Sequence, residues 1–240
     1  MKLPDLHVHS THSDGDLTVA EIARAAEREG MTVALADHLS PYHMLFDDDA
    51  FDAYEKDVRD HGLLLSAEYC VGEAIPVGRK RVERLDFLIG GLHAARDGTG
   101  EKVFFWSERD VKEFSEFMRN YFARIEETFE KEPIDILAHP TYLPLRLMKH
   151  YKEIWNRDRI RRLAGLAVEH DVALEISGRW EVPKPYALEI CLDAGATLST
   201  GSDAHHENNL FDLDYPYRVI EKLGITEDRL FVPAKQNTRK

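Results

Sequence analysis

Histidines and carboxylates recur in this chain at one kind of position, directly after a short apolar run. His7 and His9 close the run 3–8, Asp37 and His38 follow 32–36, and Glu68 lies near the end of 63–69. His93 follows 85–90 after Gly91-Leu92, His139 ends 134–138, and Asp203 and His205 follow 196–200. A His-x-His pair on a strand end turns both imidazoles to one face, because side chains alternate with period 2, so both can reach one ion. Imidazoles and carboxylates without thiolates suit zinc, manganese or iron, and the donor set does not choose among them. Neutral imidazoles crowded together would leave buried acceptors unpaired, at a few kcal/mol for each unsatisfied group. Several positive charges there would be worse. Metal ions resolve the conflict, and the chemistry they point to is hydrolysis by a metal-activated water.

Such donors need elements that set their runs side by side. The runs alternate with amphipathic stretches, which predicts repeated β-then-α units around a parallel sheet. Strands are expected over 3–8, 32–36, 63–69, 85–90, 134–138, 172–176 and 196–200. Helices are expected from Thr18 to Gly30, up to His61-Gly62, and over 107–131, 157–170, 186–194 and 216–223. Thr18 and Glu21 have the spacing of a capping box, each satisfying the other's free amide. Six of the seven strands end in His, Asp or Glu, and in parallel α/β barrels the carboxyl ends of the strands converge on one face. Residues 141–155 are an insertion. No linker or low-complexity tract interrupts the pattern, so residues 1–240 read as a single domain.

The charge balance, 31 Lys+Arg against 44 Asp+Glu, is −13 and argues against a broad nucleic-acid surface. A small anionic substrate remains compatible with it, since bound cations reverse the local field. Cys70 and Cys191 form no ligand spacing and read as reduced residues of a cytoplasmic protein. Met1-Lys2-Leu3-Pro4-Asp5 does not open a signal peptide, and no apolar run approaches the roughly 20 residues that span a bilayer. The expected compartment is the cytoplasm.

The motifs carry a resemblance. Asp5-Leu6-His7-Val8-His9-Ser10-Thr11-His12-Ser13-Asp14-Gly15, Ala36-Asp37-His38, Gly91-Leu92-His93, Ala138-His139-Pro140 and Gly201-Ser202-Asp203-Ala204-His205 resemble, in order, the motifs of the polymerase-and-histidinol-phosphatase (PHP) domain. The resemblance implies a distorted seven-stranded (β/α)7 TIM-like barrel with a trinuclear site of three divalent ions, and action on phosphate esters. By position it implies a first metal held by His7, His9, Glu68 and Asp203. A second takes His93 and His139 with Glu68 bridging, and a third takes Asp14, His38 and His205. Glu68, His7 and Asp203 are the expected catalytic residues. The sequence departs from the family at Ser66-Ala67-Glu68, where Gly-x-Glu is usual, which leaves Glu73 as the rival bridge. His12 is the rival to Asp14.

Asp37 has no place in that ligand set and is expected to orient a ligand. Arg96, Arg146 and Arg179 follow the fourth, fifth and sixth strands, where an arginine could clamp a phosphate; each could equally be a solvated loop cation. Arg179 and then Arg96 are the expected substrate contacts. Phe104-Phe105-Trp106 either walls a pocket or packs under the long helix, and packing is the safer expectation. Asp47-Asp48-Asp49 reads as a turn and helix cap, and His43, His61, His150, His170 and His206 as surface residues. The expected reaction is hydrolysis of a small phosphomonoester, with a metal-bridging hydroxide as nucleophile and His12 or Asp37 protonating the leaving alkoxide. The alternatives are a metal-dependent hydrolase of a C–N or C–O bond, a 3′-5′ exonuclease and a non-catalytic metal-binding protein. Specificity is assigned to the loops 39–50 and 141–155.

Overall fold

Apolar runs that fall silent every few residues give short strands here, and helices carry the chain between most of the parallel ones. The computed structural model describes residues 2–41 and 47–233. The first half runs β1 (Asp5–Val8), α1 (Val19–Glu29), β2 (Val33–Leu35), β3 (His38–Leu39), α2 (Asp48–Asp60), β4 (Leu64–Leu65), β5 (Glu68–Cys70) and α3 (Arg79–Val82). Next come β6 (Ile89–Gly91), β7 (Ala94–Arg96), β8 (Lys102–Phe104), α4 (Phe114–Lys131) and β9 (Ile136–Ala138). The chain continues with α5 (Tyr151–Ile154), α6 (Arg157–Glu169), β10 (Ala173–Ser177), α7 (Pro185–Asp193), β11 (Leu198–Gly201) and α8 (Asp214–Leu223). No helix among the described residues is long and apolar enough to cross a membrane.

Local chemistry sets the helix ends. Thr18 accepts from the Glu21 amide while Glu21 accepts from the Thr18 amide at 2.9 Å, the capping box its spacing predicts, and Gly30 closes α1 in the left-handed conformation. Asp47 caps α2 by accepting from the Ala50 amide at 2.9 Å, and Asp48 pairs with Arg81. The aspartate run is thus a cap and a surface pair.

Except for the hairpin β7–β8, the strands pair in parallel, in the orders β1-β2-β4 and β11-β10-β9-β6-β5-β3. The two sets meet where the Ser66 amide donates to the Leu35 carbonyl (2.9 Å) and that of Glu68 to the Asp37 carbonyl (3.0 Å). They meet again at a parallel bridge between Val8 and Ala204, where the His9 amide donates to Ala204 and that of Asp203 to His7. Leu64 apart, every residue of the parallel strands is buried, as parallel strands covered by helices must be. Leu6, Ala34, Ala36, Phe87, Ile89, Ile136, Ala138 and Ala173 form one apolar cluster, while Val33, Leu35, Leu88, Leu137 and Leu174, a residue away in each case, join the larger cluster under the helices. The donors therefore share one edge: His7 and His9 at the end of β1, His38 and Glu68 at the paired starts of β3 and β5, and His93, His139 and Asp203 just after β6, β9 and β11.

Three expectations are corrected. The runs expected as single strands over 32–36 and 63–69 are shorter pieces, with β3 and β5 continuing past β2 and β4 after a break at Ala36-Asp37 and Ser66-Ala67. An antiparallel hairpin, β7 with β8, follows β6. Asp97 shapes its turn, accepting from the Thr99 amide at 2.9 Å. The helix expected over 107–131 starts only at Phe114, because the Gly98 amide donates to the Lys112 carbonyl (3.2 Å) and ties the preceding stretch to the hairpin turn.

Candidate metal centre

The shared edge brings together all nine residues expected as ligands, and the ring nitrogens and carboxylate oxygens of eight of them fall into overlapping groups. His7, His9 and Glu68 form one group, Glu68, His93 and His139 a second, and His9, Asp14, His38 and His205 a third, with the donor atoms of each within 4.8 Å of one another. Glu68 is common to the first two. Its Oε1 lies 3.2 Å from the Nε2 atoms of both His93 and His139, and its Oε2 lies 3.6 Å from His7 Nε2 and 3.7 Å from His9 Nε2. Asp203 Oδ1 stands beside the first group, 3.4 Å from His9 Nε2 and 3.9 Å from His7 Nε2. In the third group Asp14 reaches His38 Nε2 at 3.6 Å and His205 Nε2 at 3.4 Å. Glu73 is not in these groups; it accepts from the Ser40 hydroxyl. His12 is not in them either. It pairs with Asp57 at 2.9 Å and packs its ring on Tyr54.

The spacing of this set suits cations. Nitrogen and oxygen ligands at 2.0–2.2 Å around a tetrahedral zinc stand about 3.3 Å apart, and the donor separations above bracket that spacing. The Nε2 atoms of His7 and His9 face each other at 3.1 Å, an arrangement that protons alone can satisfy only if one ring presents a bare lone pair. His9 Nδ1 is buried with no hydrogen-bond partner among the described residues. A close-packed set of imidazole and carboxylate donors with an orphaned nitrogen fits divalent metal ions.

Burial disfavours the charged form, so a shift towards that form reports the neighbours. Glu68 is held well below the usual carboxylate range despite its burial, because His93, His38 and His7 surround it. Asp14 is lowered against its burial by His205 and His38, and Asp203 against its own by His9 and His7. His9 is pushed down to about 3 by burial and by the nearby His38. Glu68 lifts His93 to about 10 against its burial, and Glu175 with Glu68 lifts His7 in the same way. The acids are therefore in the ionised form that metal ligation needs.

The backbone is shaped to this task. His139 and Asp203 are non-glycine residues at φ 34° and 54°, a costly conformation. Each is held by its amide, His139 by the Glu175 carboxylate at 2.6 Å and Asp203 by the His7 carbonyl at 2.8 Å. A Cβ at position 91 would lie 2.0 Å from Glu68 Oε1, so Gly91 makes room for the shared carboxylate.

The family model of the PHP domain matches residues 5–179. This chain belongs to the PHP domain family. An uncharacterized protein of Methanocaldococcus jannaschii is 26% identical to this PHP protein over 94% of the chain and 92% of its own length. The DNA polymerase/3′-5′ exonuclease PolX of Bacillus subtilis is 24% identical over 96% of the chain, which spans only 39% of that protein. A histidinol phosphate phosphatase from Lactococcus lactis, solved with zinc, L-histidinol and phosphate, superposes with a TM-score of 0.65 at 16% identity, over 98% of this chain and 97% of that one. That likeness is one of fold.

A cavity of about 600 Å³ opens above the donors of this PHP protein. Arg179 lines it, with Nη1 at 2.7 Å from His205 Nδ1 and its guanidinium over the Trp180 ring. Arg96, the other expected substrate contact, is not among the residues lining it: it sits on the hairpin and donates to the Gly100 carbonyl. Arg146 pairs with Asp110 at the surface. Phe104 and Trp106 wall the cavity while Phe105, between them, is buried against Phe117 and Tyr121, so alternation along the strand divides the aromatic run between both roles. Asp37 touches no histidine ring. It accepts from the Ser10 amide (2.8 Å) and from the Ser10 and Ser13 hydroxyls (2.7 and 2.6 Å), fixing the loop that carries Asp14. His61, His150 and His206 are exposed and His170 half-exposed, whereas His43 lies outside the described residues, as does part of the 39–50 loop.

Sequence reasoning passed over Glu175 and Trp180. Glu175 accepts from His7 Nδ1 at 2.7 Å, and Trp180 Nε1 donates to Asp203 Oδ2 at the same distance. The available signal for Glu175 was a lone acid inside an apolar strand, where an ionisable group needs a partner.

Proposed function

We propose that this PHP protein is a metal-dependent phosphoesterase acting on small phosphomonoesters, with three divalent cations at the grouped donors. The observation that carries the reading is Glu68, buried, with imidazoles of His7, His9, His38, His93 and His139 around its two oxygens at the floor of an open cavity. His7, His9, Glu68 and Asp203 would hold one ion, Glu68, His93 and His139 a second, and Asp14, His38 and His205 the third. The donor set suits zinc, manganese or iron, and the Lactococcus lactis structure was obtained with zinc and phosphate. Bound at such a site, these ions supply Lewis acidity and a nucleophilic water at neutral pH.

The chain's own residues would do the rest. Glu175 keeps the proton of His7 on Nδ1 and so turns the Nε2 lone pair to the donor cluster. Trp180 orients Asp203 through its second oxygen. Arg179, one-third exposed beside His205 and Asp203, is placed to pair with a phosphate and neutralise charge growing on its oxygens. His12 and Asp37, both considered as proton donors, are withdrawn from that role: neither lines the cavity, and each is held by partners elsewhere. A seven-stranded barrel comprising one domain, residues 1–240, is the architecture we propose. The Val8–Ala204 bridge between the first and last parallel strands supports it, as does the apolar cluster enclosed on one strand face. The cytoplasm is the proposed compartment, in keeping with two free, buried cysteines.

Elemental analysis combined with phosphate release from a panel of phosphomonoesters, nucleotides and oligonucleotides tests the function. Glu68→Ala and His7→Ala are expected to lose metal and turnover together. Turnover that survives metal loss would overturn the mechanism, and a blank phosphate panel beside a positive amide or lactone panel would overturn the substrate class. Cleavage confined to oligonucleotides would move the assignment to an exonuclease.

A further inference from the structure

The hairpin β7–β8 places two large aromatic side chains where burial alone gives no reason for them. Trp106 is 56% exposed and Phe104 39%, while Phe105 between them is fully buried. Phe104 and Trp106 form a tilted pair with ring centroids 5.0 Å apart, and both line the cavity above the metal donors. Trp106 reaches the donor set itself, 6.1 Å from the His93 ring. From there the rings run on through His139, at 5.1 Å from His93, and Tyr142, at 5.9 Å from His139, to Trp180, stacked on Tyr142 at 4.1 Å. The two indoles thus stand at either end of the His93–His139 pair. Trp180 is fixed there by its bond to Asp203.

The charges nearby are already matched. Lys102 Nζ lies 4.8 Å from the Phe104 ring and 3.7 Å from Glu73, so among the described residues this wall offers no free cation for a second anionic group. What it offers is apolar ring surface with a negative face, which favours another ring stacked or set edge-on.

We infer that Trp106 and Phe104 form the subsite for the leaving group, and that the preferred ester carries a planar aromatic or heteroaromatic ring on its alcohol. The inference rests on the phosphoesterase reading and adds to it the class of alcohol released. The phosphate would lie over the donors beside Arg179 and the ring against Trp106.

Non-hydrolysable phosphonates test it. Benzylphosphonate and pentylphosphonate carry the same charge on similar apolar volumes and differ in the ring. Their binding to protein reconstituted with zinc or manganese is read by inhibition of phosphate release from glycerol phosphate and, independently, by quenching of tryptophan fluorescence. The expected result is tighter binding of benzylphosphonate by about five- to tenfold, from one ring–ring contact. Trp106→Ala should remove that preference with metal content unchanged, and Trp106→Phe should restore most of it. A nucleoside 5′-methylenephosphonate run beside them tells a nucleobase from a simple aryl group as the source of the ring. Equal affinities for the benzyl and pentyl compounds, or a preference that survives Trp106→Ala, would overturn the subsite while leaving the phosphoesterase reading intact. Binding of neither phosphonate to the metal-loaded protein would overturn both.

Discussion

Glu175→Gln changes one atom in a fully buried carboxylate and should be felt at two metal positions. One oxygen of Glu175 accepts from His7 Nδ1 at 2.7 Å and the other from the His139 amide at 2.6 Å. A glutamine has a single oxygen, so it can serve only one of them. With the oxygen on the His139 amide, the new NH2 faces His7 Nδ1, which must then accept. The His7 proton moves to Nε2, the atom that points at His9, Glu68 and Asp203, and the lone pair offered to a cation is lost. With the oxygen on His7 instead, the His139 amide is left facing a donor in a buried site, at about 1–3 kcal/mol. Groups that support a metal ligand are typically worth about 10- to 100-fold in metal affinity, or about 1.4–2.7 kcal/mol. Chelator competition on the purified variant should therefore show weaker binding by that factor. If the second arrangement prevails, the loss appears as a lower melting temperature, by about 2–4 °C for each kcal/mol in a chain of this size. A Glu175→Gln protein with both wild-type metal affinity and wild-type melting temperature would refute the argument.

Three further perturbations follow from the same geometry. Gly201→Ala would set a Cβ 2.4 Å from Glu175 Oε1 and 2.5 Å from His7 Cβ; overpacking of this kind costs about 1–3 kcal/mol, and a variant with unchanged melting temperature and full metal content would show the contact to be relieved. Thr18→Ala removes the capping box at the start of α1 and should cost about 1 kcal/mol, seen by thermal denaturation, with metal content untouched because α1 contributes no donor to the groups. Metal removal should give a stability gap that widens with pH. Glu68 lifts His93 against its burial from 6.5 to about 10, so in the stripped protein its contribution is complete below about 6.5 and is lost as pH rises towards 10. A cation must displace that proton and binds better over the same window. Melting curves of loaded and stripped protein at pH 6.5 and 9 should diverge, and parallel curves would count against the assignment of His93.

Most donors were legible because they stand at or just after the end of an apolar run, and the strand period alone turns His7 and His9 to one face; Asp14, in the loop after β1, was legible only through the family resemblance. The α1 capping box and Gly30 were legible for a similar reason: their signals act within four residues. What escaped depends on contacts between distant segments. Glu175 hides inside β10, and only the approach of His7, 168 positions away, explains why an acid can sit there. The hairpin was passed over although Asp97-Gly98 is a turn signal, because its strands are three residues each and only one residue of β8, Val103, is fully buried. Arg96 was expected at the substrate through its place after a strand. The hairpin turn instead supplies the Gly100 carbonyl as its partner.

The placement of Asp37 shows how far the site is built from beneath. Burial raises its carboxyl against three hydrogen bonds from Ser10 and Ser13 that lower it. Those bonds pin the segment between His9 and Gly15, so Asp14 is delivered to His38 and His205 by a loop whose shape an adjacent strand end dictates. Glu175 does the same for the other side, holding a His7 ring and the strained His139 backbone with one side chain. Each buried carboxylate fixes two things at once, and neither can relax without moving a donor. Preorganisation of that kind places donors before any cation arrives. It also explains why Asp37 and Glu175, acids with no direct place among the grouped donors, are found fully buried beside them.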